Sequence, residues 1–225
     1  MKISVVIPAY NEEELIGDCL RSLNTQTVVP DEVIVVDNNC TDRTAEIAQS
    51  LGAKVIKEPK RGVIFARNTG FDAANGTIIL RTDADTRPPK DWVEKIRDTF
   101  LSKEVDGVTG LVRVYDLPPG STFFAKLLAN TVKFCNHGKD LMIGPNMALT
   151  RDIWKQIREH VCLDQTKVHE DYDLSFWIQV FDGEVYLDPT NIVEMSGRRI
   201  KGDPFSFFVE YPIRAVKTFR YPRFR

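Results

Sequence analysis

Four short β-branched runs fall within the first 80 residues of this 225-residue chain, and stretches of helical periodicity separate them. Ile3–Ile7 closes at Pro8, Val33–Val36 ends at Asp37, Lys54–Lys57 is a brief third run, and Ile78–Leu80 leads into Arg81-Thr82-Asp83-Ala84-Asp85. Between the first two, Leu15, Ile16, Cys19, Leu20 and Leu23 recur on one helical face, with Asn11 and Glu14 at capping-box spacing. Thr41 can cap a second helix running to about Ser50. Gly62 to Ala74 reads as a third, with Val63, Ala66, Gly70, Phe71 and Ala74 inward. A strand returns parallel to its predecessor only through a crossover, and such crossovers are right-handed. The pattern therefore predicts an α/β fold on a mainly parallel sheet. Ligands of such sheets bind outside the carboxyl ends of the strands, which directs attention to Pro8–Glu12, Asp37–Asn39 and Thr82–Asp85.

The second half is less regular. Trp92–Leu101 reads as a helix and Val108–Tyr115 as a strand, before Pro118-Pro119-Gly120 breaks the chain. Gly144-Pro145-Asn146 reads as a turn ahead of Met147–Leu149, Glu170–Phe181 as a helix, and Glu184–Leu187 as a strand. The length fits one large domain, or one domain plus a tail. Thirty basic residues against 32 acids leave a formal charge of −2, which argues against a dedicated nucleic-acid binder. Cys19, Cys40, Cys135 and Cys162 form no Cys-x-x-Cys pair, so reduced thiols in a cytosolic protein are expected. The N-terminal apolar run is too short for a signal-peptide core, and no stretch approaches the roughly 20 apolar residues that span a bilayer.

Several clusters can carry chemistry. If the fourth strand continues through Asp83-Ala84-Asp85, period-2 alternation puts both carboxylates on one face. Two close carboxylates repel unless one is protonated or a cation sits between them, and oxygen-only ligation favours Mg²⁺ or Mn²⁺. The competing reading is an acidic turn feeding a helix. His169-Glu170-Asp171-Tyr172-Asp173 is either a favourable first helical turn or the location of a general base. Arg67-Asn68 offers a cation for a phosphate or base edge, or a solvated face. Ser196-Gly197-Arg198-Arg199 suits a diphosphate, or merely opens a basic tail. No Gly-x-Gly-x-x-Gly follows the first strand, no Gly-x-x-x-x-Gly-Lys-Ser/Thr occurs, and no Gly-x-Ser-x-Gly occurs. Dinucleotide oxidoreductases, P-loop NTPases and elbow-type serine hydrolases are thereby disfavoured.

Taken in order, these pieces resemble the family 2 glycosyltransferases. The resemblance rests on Val5-Val6-Ile7-Pro8-Ala9-Tyr10-Asn11-Glu12-Glu13, then on Glu32 through Thr44 with Asp37 at its centre. Gly62 with Ala66-Arg67-Asn68-x-Gly70, Asp83-Ala84-Asp85, and Glu170-Asp171 follow in the family's order. It covers roughly residues 1–200 and implies a GT-A type Rossmann-like sandwich, a nucleotide-sugar donor (UDP- or GDP-sugar), a divalent cation (Mg²⁺ or Mn²⁺) and inversion at the anomeric carbon. By that resemblance the catalytic domain spans 1–200, with a nucleotide-sugar half to about 115 and an acceptor half over about 116–200. Pro8, Tyr10, Glu12, Asp37, Arg67 and Asp83 would line the nucleotide sugar. Asp85 and Asp83 would hold the metal. Asp171 would be the base, with Glu170 second to it, and Asn146, Arg198 and Arg199 would face acceptor or diphosphate. Some relatives carry Gln or His where this chain has Arg87, which could take over part of the phosphate neutralisation.

Two other readings stand beside this one. Sugar nucleotidyltransferases share a similar sheet but usually show a Gly-rich loop with Arg where this chain has Pro8-Ala9-Tyr10-Asn11. The other is a catalytically silent nucleotide-sugar-binding partner subunit. Residues 198–225 carry eight basic residues and two acids, a net of +6, which leaves −8 for residues 1–197. That tail interleaves Phe205, Phe207, Phe208, Tyr211, Phe219, Tyr221 and Phe224 with Arg214, Lys217, Arg220 and Arg223. Such composition suits the headgroup region of an anionic bilayer. The expectation is peripheral contact with the cytoplasmic membrane face and a lipid-linked acceptor; the alternative is that the aromatics pack back on the domain.

Overall fold

A computed structural model of the chain describes residues 1–116, 138–164 and 166–198, together with residues 202, 213, 217 and 218. Among the described residues eight strands form one sheet: β1 (Ile3–Ala9), β2 (Glu32–Asp37), β3 (Lys54–Lys57), β4 (Ile78–Arg81), β5 (Thr86–Arg87), β6 (Gly107–Val114), β7 (Met147–Thr150) and β8 (Val185–Met195). Their spatial order is β3-β2-β1-β4-β7-β6-β8-β5. The pairs β1/β2, β1/β4, β2/β3 and β6/β8 are parallel; β7 runs antiparallel to both β4 and β6, and β5 to β8. Both expected halves contribute to this sheet, because β7 from the second pairs with β4 from the first.

Among the described residues the main α-helices are α1 (Ile16–Asn24), α2 (Thr44–Ser50), α3 (Val63–Ala73), α4 (Trp92–Ser102), α5 (Arg151–Ile157) and α6 (Glu170–Val180). On one side of the sheet, α1 and α4 bury Ile16, Cys19, Leu20, Leu23, Trp92, Val93 and Ile96 against Val5, Ile7, Val35 and Leu80. On the other, Phe71 of α3, Trp154 of α5 and Leu174 and Ile178 of α6 pack on Val6, Ile34, Ile79 and Leu149. Fully burying one such side chain contributes about 1.5–3 kcal/mol, and the two clusters clamp the central strands from both faces. Gly70 permits the close seat of α3, since a Cβ there would lie 2.3 Å from Val6 Cγ1.

Several local expectations are corrected. Asn11 does not cap α1, which begins at Ile16. With φ 51°, Asn11 instead turns its Oδ1 to accept from the Thr41 N–H at 2.8 Å, joining the loops after β1 and β2. Thr41 likewise does not cap α2. Asp42 Oδ1 accepts from the Thr44 N–H and hydroxyl, and the helix starts at Thr44. Val63 is exposed rather than inward. The last strand runs to Met195, far beyond Leu187. It bulges through residues 188–191, so that Leu187 pairs with Thr109 while Ile192 pairs with Leu111. The break at Pro118-Pro119-Gly120, Cys135, Arg199 and the tail aromatics lie outside the described residues.

Candidate active site

β1, β2 and β4 run parallel and end side by side at Ala9, Asp37 and Arg81. Pro8 is tolerated in this central strand because β1 has outrun β4 there, whose register stops at Val6↔Arg81. Beyond it Tyr10 is exposed, with the Arg61 guanidinium 4.2 Å from its ring centroid. The Glu12 N–H donates to Thr44 Oγ1 at 2.8 Å, and its buried carboxylate accepts from Arg198 Nη2 at 2.5 Å. Asp37 is buried and accepts from the Cys40 N–H at 2.8 Å. The Asn38 side chain donates to the Glu58 and Lys60 carbonyls and accepts from the Gly62 N–H. It thereby ties the loop ahead of α3 to the end of β2.

The aspartate pair is not a continuation of the strand. β4 stops at Arg81, and the chain turns through Ala84 and Asp85, with the Thr86 N–H donating to the Asp83 carbonyl at 3.1 Å. Asp83 and Asp85 therefore sit on a turn, and period-2 strand alternation does not relate them. Asp85 is 5% exposed, and its carbonyl accepts from the Ser196 N–H at 3.1 Å, which pins the turn to the end of β8. The Cys19 thiol beneath donates to the Asp83 carbonyl at 3.5 Å. Burial, then Asp85 and Asp83, push its pKa up, so it stays protonated and offers no thiolate.

Glu170 and Asp171 arrive from the start of α6, whose N-terminus favours acids. Asp171 is buried; Oδ1 accepts from Arg81 Nη1 at 2.9 Å and Oδ2 from the Gly144 N–H at 2.9 Å. The ring of His169 has Nδ1 3.9 Å from Asp171 Oδ2 and stacks on Tyr172. Glu170 is held between two arginines, Oε1 2.9 Å from Arg81 Nη2 and Oε2 3.1 Å from Arg67 Nη1. Arg81 Nη2 also lies 3.2 Å from Asp83 Oδ1. Gly144 must be glycine here, since an added Cβ would lie 2.8 Å from Asp171 Oδ2 and 3.1 Å from Arg81 Nη2.

The geometry thus joins Asp83, Glu170, Asp171, Arg67 and Arg81, and links Glu12 with Arg198. Arg67 is completely buried; its guanidinium reaches Asn68 Oδ1 and Glu170, so it supports the carboxylates from below. Asn146, expected to face acceptor or diphosphate, lies between β6, β8 and α4. Its amide is fully buried, accepts from the Trp92 indole at 2.8 Å, and donates to the Leu111 and Asn191 carbonyls. Arg87 pairs with Asp18 and lies over the Tyr115 ring. Arg81 was not legible as a site residue, whereas Gly144 stands in the Gly144-Pro145-Asn146-Met147 segment that resembles the family's loop beneath sugar and acceptor. The available signal for Arg81 was an arginine closing an otherwise apolar strand, which demands nearby carboxylates.

The residues present fit a hard divalent cation. Asp83 and Asp85 supply oxygen only, and the nearby sulfur of Cys19 is a neutral thiol. Asp83, Asp85, Glu170 and Asp171 carry four formal negative charges against two positive charges on Arg67 and Arg81, leaving a balance of −2. Among the described residues no group of three or more His, Cys, Asp or Glu is placed to hold a metal ion.

The model of glycosyl transferase family 2 matches residues 4–158. Among curated proteins, glycosyltransferase AglE of Haloferax volcanii is 37% identical over 128 residues, which are 53% of this chain and 42% of that protein. The uncharacterized glycosyltransferase YfnE of Bacillus subtilis is 40% identical over 124 residues, 51% of this chain and 31% of that protein. The chain spans less than half the length of the curated relatives it matches. Among solved structures, the mannosyltransferase PcManGT from Pyrobaculum calidifontis, in complex with GDP-Man and Mn²⁺, has a TM-score of 0.70 at 22% identity, over 87% of this chain and 56% of that one. S. aureus TarS in complex with UDP-GlcNAc has a TM-score of 0.68 at 19% identity, over 87% of this chain and 58% of that one.

Proposed function

The chain belongs to glycosyl transferase family 2 and has the GT-A fold, and from that premise we propose that it moves a sugar from a nucleoside-diphosphate sugar to an acceptor with inversion. The observation that carries this reading is the meeting of two carboxylate groups at the strand ends. Asp83 and Asp85 follow β4, Glu170 and Asp171 open α6, and Arg81 contacts members of both. Asp85 and Asp83 would hold a Mg²⁺ or Mn²⁺ ion, whose chemistry is to neutralise charge developing on the departing diphosphate. Arg198 is the described member of the Arg198-Arg199 pair proposed to face that diphosphate.

Direct displacement needs a base on the sugar face opposite the leaving group. Asp171 is our choice because only one of its oxygens faces a guanidinium, the other accepting from the neutral Gly144 N–H. Glu170, clamped on both oxygens by arginines, is better suited to fixing that helix end. The test is a panel of UDP- and GDP-sugars scored by diphosphate release with Mg²⁺, Mn²⁺ or EDTA, followed by acceptor screening. Cation-dependent release that rises with an acceptor and yields the inverted anomer is expected. Release independent of any acceptor, or retention of configuration, would remove the proposal.

Asp37 is assigned to the nucleotide base. Asp37→Asn keeps an acceptor for the Cys40 N–H while removing the charge, so the loop should hold. Loss of a charged hydrogen bond is worth about 1.5–3 kcal/mol, so the donor KM should rise about 10–100-fold and discrimination between uracil and guanine should relax. Equal loss with every donor at unchanged KM would count against base reading.

The acceptor is proposed to be lipid-linked, with the tail at the cytoplasmic membrane face. Among the described residues no helix is long and apolar enough to cross a membrane. Thr218 of the tail is buried, and its hydroxyl accepts from the His169 N–H at 2.6 Å, so at least this point of the tail returns to α6. Co-sedimentation should detect salt-sensitive binding to anionic vesicles that is absent with neutral ones. No binding at low salt would return the tail wholly to the domain.

A further inference from the structure

Arg81 closes β4 at 2% exposure, after Ile78, Ile79 and Leu80. A buried guanidinium costs several kcal/mol to desolvate unless carboxylates and hydrogen bonds compensate it. Here the compensation comes from two distant parts of the chain. Nη1 holds Asp171 Oδ1 at 2.9 Å, and Nη2 holds Glu170 Oε1 at 2.9 Å and Asp83 Oδ1 at 3.2 Å. Burial opposes the charge, but Glu170, Asp83 and Asp171 outweigh it and hold the Arg81 pKa above its usual value. Arg67 cannot substitute, because its ion pair is with Glu170.

One cation is therefore shared between the aspartate turn and the helix carrying the proposed base. The three contacts are unequal. The pair with Asp83 is the longest, and it shares its nitrogen with Glu170. It is the contact most readily given up when a divalent cation claims Asp83. Asp171 has a second anchor, since its Oδ2 accepts from the Gly144 N–H at 2.9 Å, so it keeps its place while the Asp83 contact is exchanged. A planar fork can keep two carboxylates in place while releasing a third; a lysine ammonium is a point charge without that geometry.

We infer that Arg81 is a positioning residue that holds Asp171 and Glu170 in place and competes with the catalytic cation for Asp83. The inference rests on the proposed roles of Asp83 and Asp171. It predicts effects of opposite sign on cation binding and on turnover, which a purely structural arginine would not produce.

The test compares wild type with Arg81→Met and Arg81→Lys, using Mn²⁺ alone, titrated by electron paramagnetic resonance, and turnover with the donor selected above. In Arg81→Met, Mn²⁺ should bind about tenfold tighter, because a neighbouring positive charge has gone. Turnover should fall about 100-fold, as for a misplaced reacting group. In Arg81→Lys, Mn²⁺ affinity should stay near wild type while turnover still falls about tenfold or more. Mn²⁺ affinity falling with turnover in both variants would overturn the inference, as would wild-type turnover in either. If Arg81→Met does not fold, Arg81→Lys decides alone: wild-type turnover overturns the inference, and loss of turnover at unchanged Mn²⁺ affinity supports it. Wild-type turnover in Asp171→Asn would instead remove the base assignment, and tighter Mn²⁺ binding in Arg81→Met would still report the competition at Asp83.

Discussion

Asp85→Ala should abolish sugar transfer in a protein that still folds. The side chain lies on a turn between β4 and β5, so no strand pairing depends on it. The main-chain carbonyl of Asp85, which accepts from the Ser196 N–H, survives the substitution. What disappears is one of the two carboxylates proposed to hold the cation. A bound metal contributes several kcal/mol of transition-state charge stabilisation, and about 4 kcal/mol corresponds to roughly 10³-fold in rate. Diphosphate release at saturating Mn²⁺, read beside a thermal melt, checks this. Wild-type turnover with an unchanged melting temperature would make the assignment wrong. Asp83→Ala is a less clean probe, because Asp83 also neutralises Arg81, so its loss should lower the melting temperature as well as activity.

Asp171 substitutions should separate chemistry from donor binding. Removing a positioned base costs about 10²–10⁴-fold in rate, so kcat should fall by that factor while the donor Kd stays nearly intact. Asp171→Asn carries a second effect. Its carboxylate accepts from Arg81 on one oxygen and from the Gly144 N–H on the other, whereas an amide must turn its NH₂ towards one of those donors. A donor facing a donor in a buried site costs about 1–3 kcal/mol, and the melting temperature should drop accordingly. Asp171→Glu keeps the charge and moves the oxygens by one methylene, giving the rate effect without the mismatch. A donor Kd that weakens in step with kcat would assign Asp171 to binding. No effect at Asp171 beside a large one at Glu170 would shift the base by one residue.

The sequence by itself determined the frame. Apolar runs closed by polar residues predicted β1 through β4 to within a residue or two at either end, and the strand-end rule directed attention to Glu12, Asp37 and Asp83–Asp85. Those signals are local, because burial of a strand or helix face is written in the spacing of its own residues. Glu170–Asp171 was legible for the same reason, as acids opening a patterned helix. Tertiary structure alone decided which charges meet. Arg81 and Asp171 are 90 positions apart, and Arg67 and Glu170 are 103 apart; no periodicity relates them. It decided that Arg67 is buried under Glu170, that the amide of Asn146 bonds within the sheet, and that a turn rather than a strand carries Asp83 and Asp85. It also set where α1 begins, because Asn11 bonds Thr41 across two loops instead of capping its own helix. A buried polar group must find its partner wherever the fold brings one within about 3 Å, and that proximity arises only when distant segments of the sheet and its helices have packed.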